Sequence, residues 1–412
     1  MIRSSVTLSH DEVTPYARRA LFGAAAGYAM DGFDLLILGF MLPAIGSALH
    51  LTAGQTGAIV TWTLIGSVVG GMLFGALSDR FGRARVLTWT IFLFAIFTGL
   101  CAFAHSYGAL LVYRTVAGLG LGGEFGIGMA LVAECWPASK RARASAYVGL
   151  GWQAGVLAAA LLTPLLLPLI GWRGMFVVGV LPALAAWLMR KTLHEPEAFV
   201  DARQSPGAPL AWGATFGLLF ADARTTKLSV GCLILCSVQN FGYYGISIWL
   251  PSYLSKTLGL SLMKSGLWTS ATVVGMMAGI WVFGQLADRI GRRPSFLLFQ
   301  AGAAIMVCVY ATLSAPGAIL CAGIVMGAFV NGMLGGYGTL MSEGYPTIAR
   351  ATAQNVLWNA GRAVGGFGPL VIGAIASAYS FQTAIAMLAA IYVLDMLATW
   401  FLVPEMKGQS LQ

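Results

Sequence analysis

The chain is short of charge. Lys, Arg, Asp and Glu together make up 9% of its 412 residues, against about 25% in soluble domains, so a water-covered surface cannot be assembled from it. A soluble enzyme, a nucleic-acid binder and a disordered chain are excluded together. The net charge of +9 must then reflect where the basic residues sit rather than a nucleic-acid partner. Polar stretches are scarce too: the only long one, about 191–227, holds His194, Glu195, Pro196, Glu197, Asp201 and Arg203. Ten-residue alternating segments, the mark of a transmembrane barrel, do not recur. Histidine occurs at 10, 50, 105 and 194, outside every apolar run, so no imidazole can carry a proton within them. The six cysteines (101, 135, 232, 236, 308, 321) fall in or at the ends of apolar runs. Cys232 and Cys236 share a helix face, but without His or carboxylate partners they make a poor metal site, which leaves packing.

What is present is long apolar runs. Apolar residues are 58% of the chain, mean hydropathy is +0.80 and glycine numbers 53; small residues let membrane helices approach closely. A crossing helix needs about 20 mostly apolar residues. Such runs lie near 20–47, 55–77, 86–104, 108–134, 143–168 and 171–190, then near 228–254, 263–286, 295–313, 315–343, 351–378 and 381–403. Numbered as spans 1 to 12, they predict an all-α membrane protein with twelve transmembrane helices. The polar stretch divides them into an N-terminal segment (1–19), a six-helix bundle (20–190), a linker (191–227), a second six-helix bundle (228–403) and a tail (404–412). Asp31 and Asp34 lie inside span 1, unlike the uncharged core of a cleaved signal peptide, so this span is expected to be retained. With both termini placed in the cytoplasm, 19 of the 24 Lys and Arg residues fall on that side. Arg173, Lys256 and Lys264 fall outside, and Arg114 and Arg362 lie within spans. That bias fixes the orientation.

The chain repeats itself at an offset of 209. Gly66, Gly70, Gly75, Asp79, Arg80, Gly82 and Arg83 recur as Gly275, Gly279, Gly284, Asp288, Arg289, Gly291 and Arg292. Glu134, Pro137 and Arg141 recur as Glu343, Pro346 and Arg350. Two parallel copies of one six-helix unit follow. Gly118-Leu-Gly120-Leu-Gly-Gly123 fits the dinucleotide fingerprint, but it lies inside an apolar run with no preceding strand, which voids the motif. Those glycines are expected to pack span 4 against a neighbour. No phosphate-binding loop for ATP is present.

These repeated residues carry a family resemblance. Gly75-x-x-x-Asp79-Arg80-x-Gly82-Arg83 resembles the signature loop between helices 2 and 3 of the major facilitator superfamily, echoed between helices 8 and 9. Glu-x-x-Pro-x-x-x-Arg after spans 4 and 10 is similar to its sugar-porter and metabolite-symporter branches. The resemblance implies two bundles around a cavity open alternately to each side, with no cofactor beyond the proton as coupling ion. It further implies a monomer in the bilayer of a bacterial inner (plasma) membrane. The clustered charges Asp79, Arg80, Arg83, Glu134 and Arg141, with Asp288, Arg289, Arg292, Glu343 and Arg350, are read as a cytoplasmic gate. As an alternative they mark topology and cap helices.

Six ionisable residues lie well inside spans: Asp31, Asp34, Arg114, Glu124, Arg362 and Asp395. Each costs about 2.5–3.5 kcal/mol near a helix centre, so six unpaired would cost roughly 15 kcal/mol or more; they must pair or line a wet cavity. Asp31 and Asp34 sit near the middle of span 1 on one face, and Arg362 is central in span 11. The repeat does not reproduce them: Asp31, Asp34, Glu124, Arg114 and Arg362 correspond to Asn240, Tyr243, Met333, Gly323 and Gln153. This predicts protons carried on Asp31, Asp34 and Glu124 of the first half, the two aspartates as a coupled pair. Arg362, with a fork matched to carboxylate, is expected to clamp an anion on the second half. The alternative is a structural ion pair of Arg362 with Asp31 or Glu124. Arg114 resembles the family's fourth-helix arginine associated with proton coupling. Asp395, in a peripheral span, receives no role.

Gln239, Asn240, Tyr243 and Tyr244 of span 7, with Asn355, Trp358 and Asn359 of span 11, are expected to share the pocket with Arg362. Asp31-Gly32-Phe33-Asp34 looks like the motif of aromatic-acid:proton symporters. Gly122-Gly123-Glu124-Phe125-Gly126 and Glu134-Cys-Trp-Pro137 are more like sialate and lactate symporters, and Tyr244-Gly-Ile-Ser-Ile-Trp-Leu-Pro251 is similar to both and to niacin-type carriers. The expectation is proton-coupled uptake of a small organic anion, a monocarboxylate, and no enzyme activity. Proton-coupled efflux of drugs or metabolites and sugar or polyol symport are the alternatives. Span 5 lacks the Gly-Pro motif of antiporter branches, although Gly368-Pro369 occurs in span 11.

Overall fold

The structure is a computed structural model that describes residues 12–190, 193–196, 199–201, 214–259 and 262–408. Parts of the expected N-terminal segment (1–11), linker (191–192, 197–198 and 202–213) and tail (409–412) lie outside the described residues. Among those described the chain is helical and contains no strand. Helix starts follow local chemistry. Thr14 accepts from the Ala17 N–H ahead of Pro15, Thr52 and Gln55 form a reciprocal capping box, and Ser106, Asp222 and Ser380 each cap the helix that follows.

Spans 1 to 4 are Pro15–Ala48, Ala53–Phe81, Arg83–Cys101 and Tyr107–Cys135. Spans 5 and 6 form one continuous assignment, Arg141–Arg190, turned at Gly171, whose φ of 66° is open to glycine at little cost. Span 7 is Ala223–Leu258, span 8 Leu262–Ile290 and span 9 Arg292–Thr312. Span 10 is broken into Pro316–Gly332 and Leu334–Gly344, span 11 into Arg350–Gly365 and Gly368–Ala378, and span 12 is Phe381–Leu402. Ten described helices are long and apolar enough to cross a membrane. One of these holds spans 5 and 6, and the more polar span 7 lies outside the ten, which is consistent with twelve crossings.

The offset seen in the sequence reappears as packing. Gly66 and Gly70 of span 2 lie against the Thr115 and Leu119 carbonyls of span 4; Gly275 and Gly279 of span 8 lie against the Ile324 and Ala328 carbonyls of span 10. A methyl group at any of the four would overlap the facing backbone. The glycines of the false dinucleotide motif do the same work: Gly118 meets Thr63 and Gly122 meets Ser67 on span 2, while Gly120 meets Thr90 on span 3. Between the halves, span 11 packs on spans 2 and 4, and span 5 on spans 8 and 10. Outward faces carry Leu165, Leu169, Phe367 and Phe401, all largely exposed, as helices facing hydrocarbon require.

Candidate functional site

At one end, where the basic loops lie, the repeated charges tie the halves together twice over. Asp79 of span 2 accepts from the backbone N–H groups of Ala351 (3.3 Å) and Thr352 (2.8 Å) and from the Thr352 hydroxyl (2.6 Å), capping the start of span 11. Asp288 of span 8 accepts from the N–H groups of Ala142 and Arg143, both at 3.1 Å, at the start of span 5. An anion at a helix N-terminus meets unsatisfied donors and the positive end of the dipole. Glu134 takes Arg350 at 2.7 Å across the seam and Arg83 at 3.1 Å within its own half. Glu343 likewise takes Arg141 at 3.0 Å across the seam and Arg292 at 2.8 Å within its half. Arg83 and Arg292 also pair with Asp79 and Asp288 at 3.0 and 3.1 Å. Arg80 and Arg289 stay out of this network: both are exposed, and the Arg80 guanidinium lies over the Phe81 ring. Each sits one residue from its aspartate, on a helix face turned away from the seam.

Two glutamates at this end escape a scan at a fixed offset. Glu195 accepts from the N–H groups of Arg83 (2.6 Å), Ala84 and Arg85 (3.1 Å); Glu405 accepts from those of Arg292 (2.9 Å) and Arg293 (3.0 Å). They hold the starts of spans 3 and 9. Their separation is 210 rather than 209, and the only signal is a glutamate beside proline after spans 6 and 12. Gly82, at φ 110°, leaves room for this, since a Cβ there would strike the Glu195 carboxylate.

Deep in the spans the charges pair, but not as one cluster. Arg114 grips Asp34 with both Nη atoms, at 3.0 and 2.6 Å, entirely within the first half. Arg362 reaches from span 11 to Asp31 at 3.2 Å and to the Ser67 hydroxyl at 2.9 Å. Asp31 and Asp34 therefore each have their own arginine. Three residues along span 1 are enough to aim the two side chains at different arginines, while Asp31 stays within electrostatic reach of Asp34. Glu124 accepts from the Thr90 hydroxyl at 2.7 Å, facing span 3 rather than Arg362. Asp395 takes the Gln300 amide at 2.9 Å between spans 12 and 9. All are buried.

The Asp31–Arg362 pair is incompletely satisfied: Asp31 Oδ1 and Arg362 Nε are buried without a hydrogen-bond partner. Arg362 lines a narrow cavity with free space of about 10 Å³, room for about one water molecule, together with Tyr28, Trp152, Gln239, Asn240, Tyr243, Tyr244, Asn331, Leu334 and Trp358. The guanidinium lies 5.4 Å from the Trp152 ring, Trp152 donates to the Tyr243 hydroxyl at 3.3 Å, and Trp358 stacks on Phe125 at 4.3 Å. Six of the eight residues expected to share this pocket do so. Asn355 and Asn359 do not. Their amides pin span 11 to span 4, Asn355 accepting from the Gly126 N–H at 3.2 Å and Asn359 donating to the Gly122 carbonyl at 3.1 Å. Tyr28, Trp152, Asn331 and Leu334 are additions. Asn331 was readable as an amide inside an apolar span, and Tyr28 as the residue nearly one turn before Asp31; Trp152 and Leu334 carry no distinguishing signal.

A repeated six-helix unit, ion pairs and helix caps joining the halves at one end, and a polar cavity between the halves are the features of a membrane transporter. Residues 24–367 match the Major Facilitator Superfamily, with a further match over 265–411, and the chain belongs to that superfamily. It is a transporter, not an enzyme. A Haemophilus influenzae protein named for metabolite transport is 66% identical over 404 residues, covering 97% of this chain and 99% of that one. The cis,cis-muconate transport protein of Acinetobacter baylyi is 32% identical over 365 residues, 88% of each chain. The sialic acid transporter NanX of Escherichia coli is 30% identical over 377 residues, 90% of each. The solved proton:xylose symporter XylE superposes with a TM-score of 0.82 at 20% identity, over 97% of this chain and 98% of that one, a likeness of fold.

Proposed function

We propose that this transporter takes up a small organic monocarboxylate together with a proton, by alternating access. The observation that carries the reading is the half-satisfied Asp31–Arg362 pair, whose arginine lines the cavity with Asp31 directly behind it. A buried guanidinium needs one anion close by, and two are on offer: the Asp31 carboxylate and an incoming substrate carboxylate. A proton on Asp31 neutralises it and frees Arg362 for the substrate. Loss of that proton returns Arg362 to Asp31 and weakens the hold on the substrate. Proton and anion thus favour each other's binding, as symport requires. Relatives named for sialic acid, niacin and 4-hydroxybenzoate handle acids with a single carboxylate.

In this scheme Asp34, Arg114 and Glu124 are the coupling residues of the first half, with Arg114 as the ion-pair partner of Asp34. The basic end is cytoplasmic, both termini face that side, and the cross-seam contacts of Asp79, Asp288, Glu134 and Glu343 form the closed inner gate. Substrate then reaches the cavity from outside. The working unit is a monomer in a bacterial inner membrane, without cofactor. The test is uptake into proteoliposomes of a panel of radiolabelled monocarboxylates, with and without an inward proton gradient. Gradient-dependent accumulation that a protonophore abolishes is expected for at least one; accumulation indifferent to the gradient would overturn the coupling.

A further inference from the structure

At another part of the cavity wall, Gln239 of span 7 and Asn331 of span 10 face each other. Gln239 Nε2 donates to Asn331 Oδ1 at 2.7 Å. Two primary amides can close a ring with two such bonds, but only one is made. Gln239 Oε1 and Asn331 Nδ2 are left buried without partners, on residues that are each 2% exposed and that both line the cavity. One acceptor and one donor are therefore left unsatisfied on the two members of a hydrogen-bonded pair, where water is nearly excluded. Turning both amides over exchanges their roles and leaves the same complement. Buried polar atoms left unpaired are costly, and a ligand that satisfies both removes that cost. The pair is also a departure from the repeated scaffold, since the first half has Met30 and Gly122 at these positions.

We infer that Gln239 and Asn331 form a second subsite, which reads a neutral group able both to donate and to accept a hydrogen bond, such as a hydroxyl or a carboxamide, on a substrate whose carboxylate sits at Arg362. Arg362 is the only charged residue among those lining the cavity, so nothing at the amide pair offsets a second charge. The rings of Tyr28, Trp152 and Trp358 on the same wall suit a flat or apolar middle. The substrate class is thus a hydroxy- or amido-carboxylate rather than a plain fatty acid or a dicarboxylate with two charges. The inference rests on the anion reading of Arg362, and the variants below separate the two.

The experiment measures binding to the purified full chain by intrinsic fluorescence, with Trp152 and Trp358 at the cavity as reporters. The ligands are matched pairs: lactate and propionate, 4-hydroxybenzoate and benzoate, gluconate and hexanoate. The wild type is expected to bind the hydroxylated member of at least one pair at least tenfold more tightly, because a site built to hydrogen-bond a hydroxyl rejects the analogue lacking it. Asn331→Leu, and independently Gln239→Met, which copies the residue of the other half, should bring that ratio to within about threefold. They should do so by weakening the hydroxy acid and sparing its partner. Arg362→Ala should weaken both members together. Equal affinity within every pair, or a preference that survives both amide variants, overturns the subsite while leaving the anion clamp intact. Binding of hydroxy acids that Arg362→Ala does not affect overturns the anion reading itself, as does the absence of binding by every acid.

Discussion

Asp79→Asn should open the sealed end of the molecule. Three hydrogen bonds run from span 11 to this carboxylate across the seam, at 2.6, 2.8 and 3.3 Å. A hydrogen bond to a charged group contributes about 1.5–3 kcal/mol. Asparagine can keep its one carbonyl oxygen at the position that takes both Thr352 donors, so the Ala351 bond is lost outright, the other two lose their charge assistance, and the pairing with Arg83 weakens. A loss near 3 kcal/mol shifts the balance between closed and open states on the order of 100-fold toward open. Asp288→Asn should act alike, since Asp288 caps span 5 through Ala142 and Arg143. The opening can be read from spin labels at Arg85 and Arg289, exposed residues on opposite halves at this end, in a background cleared of the six native cysteines. Longer label separations are expected in both variants, with the substrate-free wild type short. If both variants fold and their distance distributions match the wild type, the carboxylates are helix caps and topology markers without a part in gating.

Two further outcomes follow from the buried pairs and caps. Asp34→Asn alone leaves Arg114 buried without its anion, a loss of about 3–5 kcal/mol; Asp34→Asn with Arg114→Gln should recover folded protein in a thermostability assay yet fail to accumulate substrate on a proton gradient. Glu195→Gln removes the charge from an acceptor of three N–H groups at the start of span 3, and should cost about 1–2 kcal/mol, seen as a lowered melting temperature. Glu405→Gln should do the same at span 9; an unchanged melting temperature in both would show that these carboxylates do not hold their helices.

The parts of this molecule that are legible in the sequence are those fixed by periodicity and by the cost of charge in hydrocarbon. The 209-residue offset located Gly66, Gly70, Asp79 and Glu134 with their counterparts, and the structure places all of them at matching contacts. The same cost identified Asp31, Asp34, Arg114 and Arg362 as groups that need partners. Which partner each takes is a matter of side-chain direction: Asp31 and Asp34, three residues apart, turn to arginines on spans 11 and 4. Asn355 and Asn359 have the polarity of pocket residues, but close approach to Gly126 and Gly122 makes them fasteners between halves. Trp152 and Tyr28 were hidden for the opposite reason, being aromatic residues among many in apolar runs. Glu195 and Glu405 fell outside the fixed offset by a single residue in a linker and a tail.

The most direct test of one arginine serving both Asp31 and the substrate is the pH dependence of carboxylate binding in the wild type and in Asp31→Asn. The ligand should be an acid ionised throughout, over a range of about pH 5.5 to 8.5. In the wild type, deprotonated Asp31 competes for Arg362, so affinity should fall as pH rises. In Asp31→Asn the competitor is gone: affinity should be flat across the range, about 10- to 100-fold tighter than wild type at the alkaline end, with exchange retained and gradient-driven accumulation lost. An Asp31→Asn protein that keeps the wild-type pH profile and still concentrates substrate on a proton gradient would contradict the shared arginine.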